Sequence, residues 1–143
     1  MDTRRNLDLS KYRFERAEET LNAAKNNLDN GFNNESVTRS YHAIFYGMLA
    51  VTLLDGFSAS KHSSIISYFR RTYIKTKIFD DKISDIIGNA FTVRTEADYG
   101  EFYTVSIEEA QRQINNAKIF LNTIRPYLEN CWQEIEQKYA GKI

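Results

Sequence analysis

From Ile107 to Ile135 the residues Ile107, Ala110, Ile114, Ala117, Leu121, Ile124, Leu128, Cys131 and Ile135 return at alternating steps of three and four. That spacing lays them along one stripe of an α-helix. The stripe runs straight through Pro126 without losing register. Proline inside a helix removes an amide donor and frees the carbonyl four residues back, here that of Asn122, so a long helix kinked near Asn122 to Pro126 is expected. Ser106, with Glu109 three residues on, has the form of a capping box ahead of it.

The rest of the chain must supply helices to cover this stripe. From Phe14, the residues Ala17, Leu21, Ala24 and Leu28 keep the same three-four steps with charged residues between them, and Gly31 follows where a left-handed residue would close a helix. Asn33 and Asn34 can cap a second helix, from about Glu35 to Asp55 with Gly56 as its stop. Its second half, Ala43 to Leu54, is apolar almost all round and belongs at the centre of a bundle. Ser58 or Ser60 can cap a short third helix in which His62, Ile66, Phe69 and Tyr73 share a face. Asp80 and Asp81 suit the start of a fourth, whose inner stripe is Ile83, Ile87, Ala90 and then Arg94 or Ala97.

No run alternates with the period of a strand, and no Asn-Gly or Asp-Gly turn joins two such runs. The expectation is an all-α, up-and-down bundle of four to five helices forming a single domain over residues 1–143, with 1–9 a flexible arm. Nineteen basic residues balance 19 acidic ones, so any polyanion contact has to be local. The single cysteine, Cys131, leaves no internal disulfide and no cysteine-rich zinc site. Tyr41 to Leu54, the longest mostly apolar stretch, falls short of a membrane span, and the start has no secretory pattern. A cytoplasmic protein with no cofactor and no metal is expected.

Three groups of residues can carry chemistry. Arg39, His42 and Tyr46 stand three and four apart and make a polar stripe on the apolar second helix. The structural alternative has Arg39 pairing with Glu35, His42 as a hydrogen-bonded core residue and Tyr46 as a packing residue. Arg94, Asp98 and Tyr99 close the fourth helix. Arg94 suits a phosphate, Asp98 its fixing, and Tyr99 a base to stack on, while a plain Arg94–Asp98 ion pair is the structural alternative. Lys61-His62-Ser63 opens the third helix within a segment free of acidic residues from Gly56 to Phe79. Amides there can hold a phosphate, or the face is simply solvated. Glycine-rich phosphate loops, nucleophile elbows and zinc-protease motifs are absent.

These same segments carry a resemblance. Arg39-Ser40-Tyr41-His42-Ala43-Ile44-Phe45-Tyr46 resembles the Arg-x-Tyr-Tyr-Ala-x-Phe-Tyr helix of HEPN-domain proteins (higher eukaryotes and prokaryotes nucleotide-binding). Ser60-Lys61-His62-Ser63 is similar to their Lys-Thr-His-Ser segment, and Arg94 to Tyr99 to their Arg-x-x-x-Asp-Tyr segment. The resemblance implies a four- or five-helix bundle that forms homodimers. It further implies a nucleotidyltransferase partner and a toxin-antitoxin or defence module. Many such proteins are metal-independent endoribonucleases, with an arginine followed after four to six residues by a histidine. Here Arg94 is followed by Asp98, Tyr99, Gly100 and Glu101, and no histidine. On this resemblance Arg94, Asp98 and His42 are the candidate catalytic residues, and Arg39, Tyr46, Lys61, His62 and Tyr99 the candidate RNA or nucleotide contacts. A non-catalytic adaptor, or a bundle holding a small nucleotide, is the alternative.

Overall fold

The computed structural model describes residues 3–100 and 103–140. They form α1 (Thr3–Asp29), α2 (Asn33–Leu54), α3 (His62–Phe69), a π-helical turn (Arg70–Ile74), α4 (Asp81–Tyr99) and α5 (Ile107–Ala140). No strand occurs among the described residues, so the all-α bundle is the observed architecture. Helix α2 lies in the middle, packed against α1, α5, α4 and α3. Its Tyr41, Ala43, Ile44, Met48 and Ala50 are wholly buried, as an apolar helix without a wet face requires.

Both predicted glycine stops operate. Gly31 has φ +82° and Gly56 φ +75°, and each is followed by the same pair of bonds. Gly31 N–H donates to Leu28 C=O and Phe32 N–H to Asn27 C=O. Gly56 N–H donates to Leu53 C=O and Phe57 N–H to Thr52 C=O. These Schellman closures satisfy helix-end carbonyls that otherwise lack partners. At the other termini, Asp80 accepts from Lys82 N–H at 2.9 Å and Ser106 Oγ from Glu109 N–H at 3.1 Å. The Glu109 carboxylate turns instead to Arg112 and Gln113.

Four local expectations are corrected. The segment 1–9 is not a loose arm from Thr3 onward, because α1 begins there and Leu7 and Ser10 are buried; Met1 and Asp2 lie outside the described residues. The residue before α3 is Lys61, not Ser58 or Ser60, and no side chain caps that helix. Asn33 and Asn34 sit inside α2 and reach across the chain: Asn33 Nδ2 donates to Val105 C=O, while Asn34 donates to Tyr103 C=O and accepts from Val105 N–H. They therefore hold the linker before α5. Finally, Ile107 at the head of the α5 stripe is 64% exposed and not part of the core, while α5 runs unbroken through Pro126 as expected, its stripe buried from Ala110 to Leu128.

Polar groups knit the helices together where small residues allow contact. Ser10 Oγ donates to Ala50 C=O at 2.6 Å and accepts from Trp132 Nε1 at 2.9 Å, so one hydroxyl joins α1, α2 and α5. Ser36 Oγ donates to Ala24 C=O at 2.8 Å. None of the helices is long and apolar enough to cross a membrane among the described residues.

The tightest crossing is at Gly47. A Cβ there would lie 2.9 Å from Leu121 Cδ2, 2.9 Å from Phe120 Cε1 and 3.0 Å from Ile124 Cδ1. All three neighbours are buried, so they cannot move aside cheaply. Alanine would gain about 1 kcal/mol in helix propensity, against about 1–3 kcal/mol for overpacking a filled core. Gly47→Ala is expected to lower the unfolding free energy by up to about 2 kcal/mol in urea titrations, and Gly47→Leu to abolish cooperative unfolding.

Candidate functional site

Helices α2 and α4 bring Arg39 and His42 of the first group toward Arg94 and Asp98 of the second. Tyr41 is the hinge of the arrangement: its ring is fully buried, packed beneath the end of α4. The Arg94 guanidinium carbon sits 5.2 Å from the centre of that ring, within the range where a cation is held by an aromatic face. Arg94 Nε lies 2.8 Å from Asp98 Oδ2, with the Arg94 side chain 22% exposed. The N–H is not aligned on the carboxylate, so the contact is ionic more than a directed hydrogen bond. Thr38 Oγ1 donates to the other carboxylate oxygen at 3.1 Å, tying Asp98 back to α2.

The hydroxyl end of Tyr41 reaches the third group. Its oxygen is 3.0 Å from His62 Nδ1, and the His62 ring stacks on Phe45 with centroids 3.8 Å apart. One buried tyrosine thus positions Arg94 through its face and His62 through its edge. His42, the neighbour of Tyr41 on α2, is half-buried and packs its ring on Tyr46 at 6.2 Å.

Burial pushes both imidazoles below the ordinary histidine value of 6.5. The Arg94 charge pushes in the same direction for each, and His62 and Arg39 add to it for His42, with Asp98 opposing. Near neutral pH both rings are therefore uncharged and can accept a proton. Burial also raises the Tyr41 hydroxyl above its usual range, outweighing Arg94. The cation density of the site at neutral pH comes from arginine.

Of the remaining candidates, Arg39 is exposed and borders an open cleft of about 380 Å³ shared with Asn34, Thr38, Ala97 and Asp98. Among the described residues it forms no ion pair with Glu35, against the simple pairing that the sequence allowed. Tyr46 faces away from Arg94: the Arg16 guanidinium lies over its ring at 5.9 Å. Tyr99 is 77% exposed and Lys61 exposed, neither packed against the cluster. Glu101 lies outside the described residues. Tyr41 and Thr38 escape a reading by spacing, since an aromatic ring or a threonine on a buried helix looks like packing. The only available signal was that a buried phenol needs a partner for its hydroxyl. Among the described residues no group of His, Cys, Asp and Glu could hold a metal ion.

The sequence pattern of the HEPN domain matches residues 10–127. The chain belongs to the HEPN domain family. A Methanocaldococcus jannaschii protein named "Putative toxin MJ0142" is 32% identical over 128 residues, covering 90% of this chain and 86% of that protein. A Thermotoga maritima protein named "UPF0332 protein" is 34% identical over 80% of this chain and 87% of its own length. A second M. jannaschii protein, "Putative toxin MJ0605", is 30% identical over 81% of this chain and 86% of its own. The HEPN match takes in every candidate site residue, from Arg39 on α2 to Tyr99 at the end of α4.

The neutral histidines of this HEPN cluster make folding depend on pH. Their folded-state values lie below 6.5, so the unfolded chain takes up protons first as pH falls, and the folded form loses stability below that point. Urea titrations are expected to give an unfolding free energy that is flat near pH 8 and declines from pH 6.5 downward. A His42→Gln variant is expected to show a shallower decline, and an unchanged slope would mean that His42 titrates normally.

Proposed function

We propose that this HEPN protein binds single-stranded RNA through the α2–α4 cleft, as the RNA-directed component of a toxin-antitoxin or defence module. The observation that carries the reading is Arg94, a largely buried guanidinium held on the Tyr41 ring with only Nε given to Asp98. Its outer nitrogens have no hydrogen-bond partner among the described residues, and they are the donors that grip a phosphate in a fork. Two neutral imidazoles and the exposed cation Arg39 flank it. The toxin names of the two M. jannaschii relatives favour a toxin-like role.

The reading is one of binding first. A metal-independent cleavage would need an imidazole to take the proton of the attacking ribose hydroxyl, and no histidine follows Arg94 along α4. His42 or His62 would have to supply it. The adaptor reading is favoured by one specific observation, that His62 is already engaged by Tyr41 and Phe45. On either reading the working assembly is proposed to contain a second copy of the chain and a nucleotidyltransferase-domain partner.

Arg94→Ala is expected to remain helical by circular dichroism and to bind a fluorescent single-stranded RNA about tenfold or more weakly, the loss that follows from removing a charged hydrogen-bonding group. Arg94→Lys is expected to fall between, because it keeps the charge and loses the fork. A folded Arg94→Ala chain that binds RNA as well as the parent would remove this site.

A further inference from the structure

A second groove, lined in part by Phe91, opens between α3 and α4, with a volume of about 220 Å³. Its walls are Ser63 and Arg70 on one side and Ile87, Gly88 and Phe91 on the other. Phe91 is apolar yet 44% exposed. Gly88 leaves the floor open: a Cβ there would come within 3.1 Å of Arg70 Nη2.

The arginine is the unusual part. Arg70 begins the π-helical turn, where Lys75 N–H donates to Arg70 C=O across five residues at 2.9 Å. Such turns are rare and cluster at functional positions. Arg70 Nε donates to Ser84 Oγ at 2.9 Å and Nη2 to Ser84 C=O at 3.2 Å. One long edge of the guanidinium is therefore pinned to α4. A guanidinium has five N–H donors, so the end edge, with one N–H from each outer nitrogen, is left for a ligand. No carboxylate among the described residues forms an ion pair with it.

Position links this groove to the Arg94 guanidinium. Phe91 and Arg94 are three residues apart on α4, a rise of about 4.5 Å, and both lie against Tyr41: the Phe91 ring centre at 6.1 Å and the Arg94 guanidinium at 5.2 Å. A phosphate on Arg94 leaves its own or the adjoining nucleotide's base within reach of Phe91. An exposed phenyl ring accepts any base by stacking. A pinned pair of parallel N–H donors is more selective: it fits two adjacent acceptors, which guanine offers at O6 and N7, whereas adenine pairs its N7 with a donor. In single-stranded RNA that edge is open to reading.

We propose that the α3–α4 groove is a guanine-reading subsite of the RNA cleft, with Phe91 as the stacking platform and the end edge of Arg70 as the donor pair. The inference rests on the reading of Arg94 as a phosphate site and adds a base preference to it. The test is fluorescence anisotropy on the full chain with labelled oligouridine carrying, at a central position, guanine, inosine, 7-deazaguanine or adenine. Guanine and inosine RNAs, which keep both acceptors, are expected to bind about tenfold tighter than adenine RNA, and 7-deazaguanine RNA to fall to the adenine level. Arg70→Gln, checked for helicity, is expected to erase the guanine advantage, and Phe91→Ala to weaken all four RNAs. Equal affinity for the four RNAs, with binding still dependent on Arg94, overturns the subsite and leaves the cleft intact. Absence of RNA binding altogether overturns both.

Discussion

A helix whose second half is apolar almost all round can be stable in water only when other helices enclose it, and α2 imposes that condition on the whole chain. Its burial brings α1, α5, α4 and α3 against it. The approach to α5 is close enough that Gly47 carries no side chain, because Phe120, Leu121 and Ile124 already occupy the space. Once α2 is enclosed, a polar atom left unpaired on it is costly, and most are met by a neighbour, although Ser40 Oγ stays buried without a partner among the described residues. Ser36 is met by α1, Asn34 by the linker before α5, and the Tyr41 hydroxyl by His62.

The candidate site is a by-product of that enclosure. Tyr41 belongs to the core by burial and to the site by chemistry. Arg94 can remain charged with little exposure because the phenol face and Asp98 share its field, while the low exposure strengthens any later contact with an anion. The cluster therefore keeps its cation where water is scarce and its imidazoles neutral beside it.

The parts of this design that could be read from the chain are those whose causes are local. A three-four stripe is written in consecutive residues, so α5 and the second half of α1 were legible, and left-handed stops at Gly31 and Gly56 depend on one residue each. Aspartate at position 80 and serine at 106 bond to amides two and three residues ahead. What escaped depends on distant partners. The first turns of α1 are charged and look loose, yet Leu7 lies beside Glu136 and Ala140 near the far end of α5. Asn33 and Asn34 resemble caps, but their bonds run some seventy residues along the chain to Tyr103 and Val105. Arg94 was recognisable as misplaced on an inner stripe; that Tyr41 would hold it, and hold His62 as well, follows only from the crossing of α2 with α4.

The hydroxyl of Ser10 has a consequence of a different kind. The chain has one tryptophan, and its indole N–H ends on that hydroxyl while its ring meets Phe14 edge-on at 5.9 Å. The sole indole thus sits at the junction of three helices, at the opposite end of α2 from Arg94. Its emission colour is therefore expected to follow whether α1, α2 and α5 are seated together.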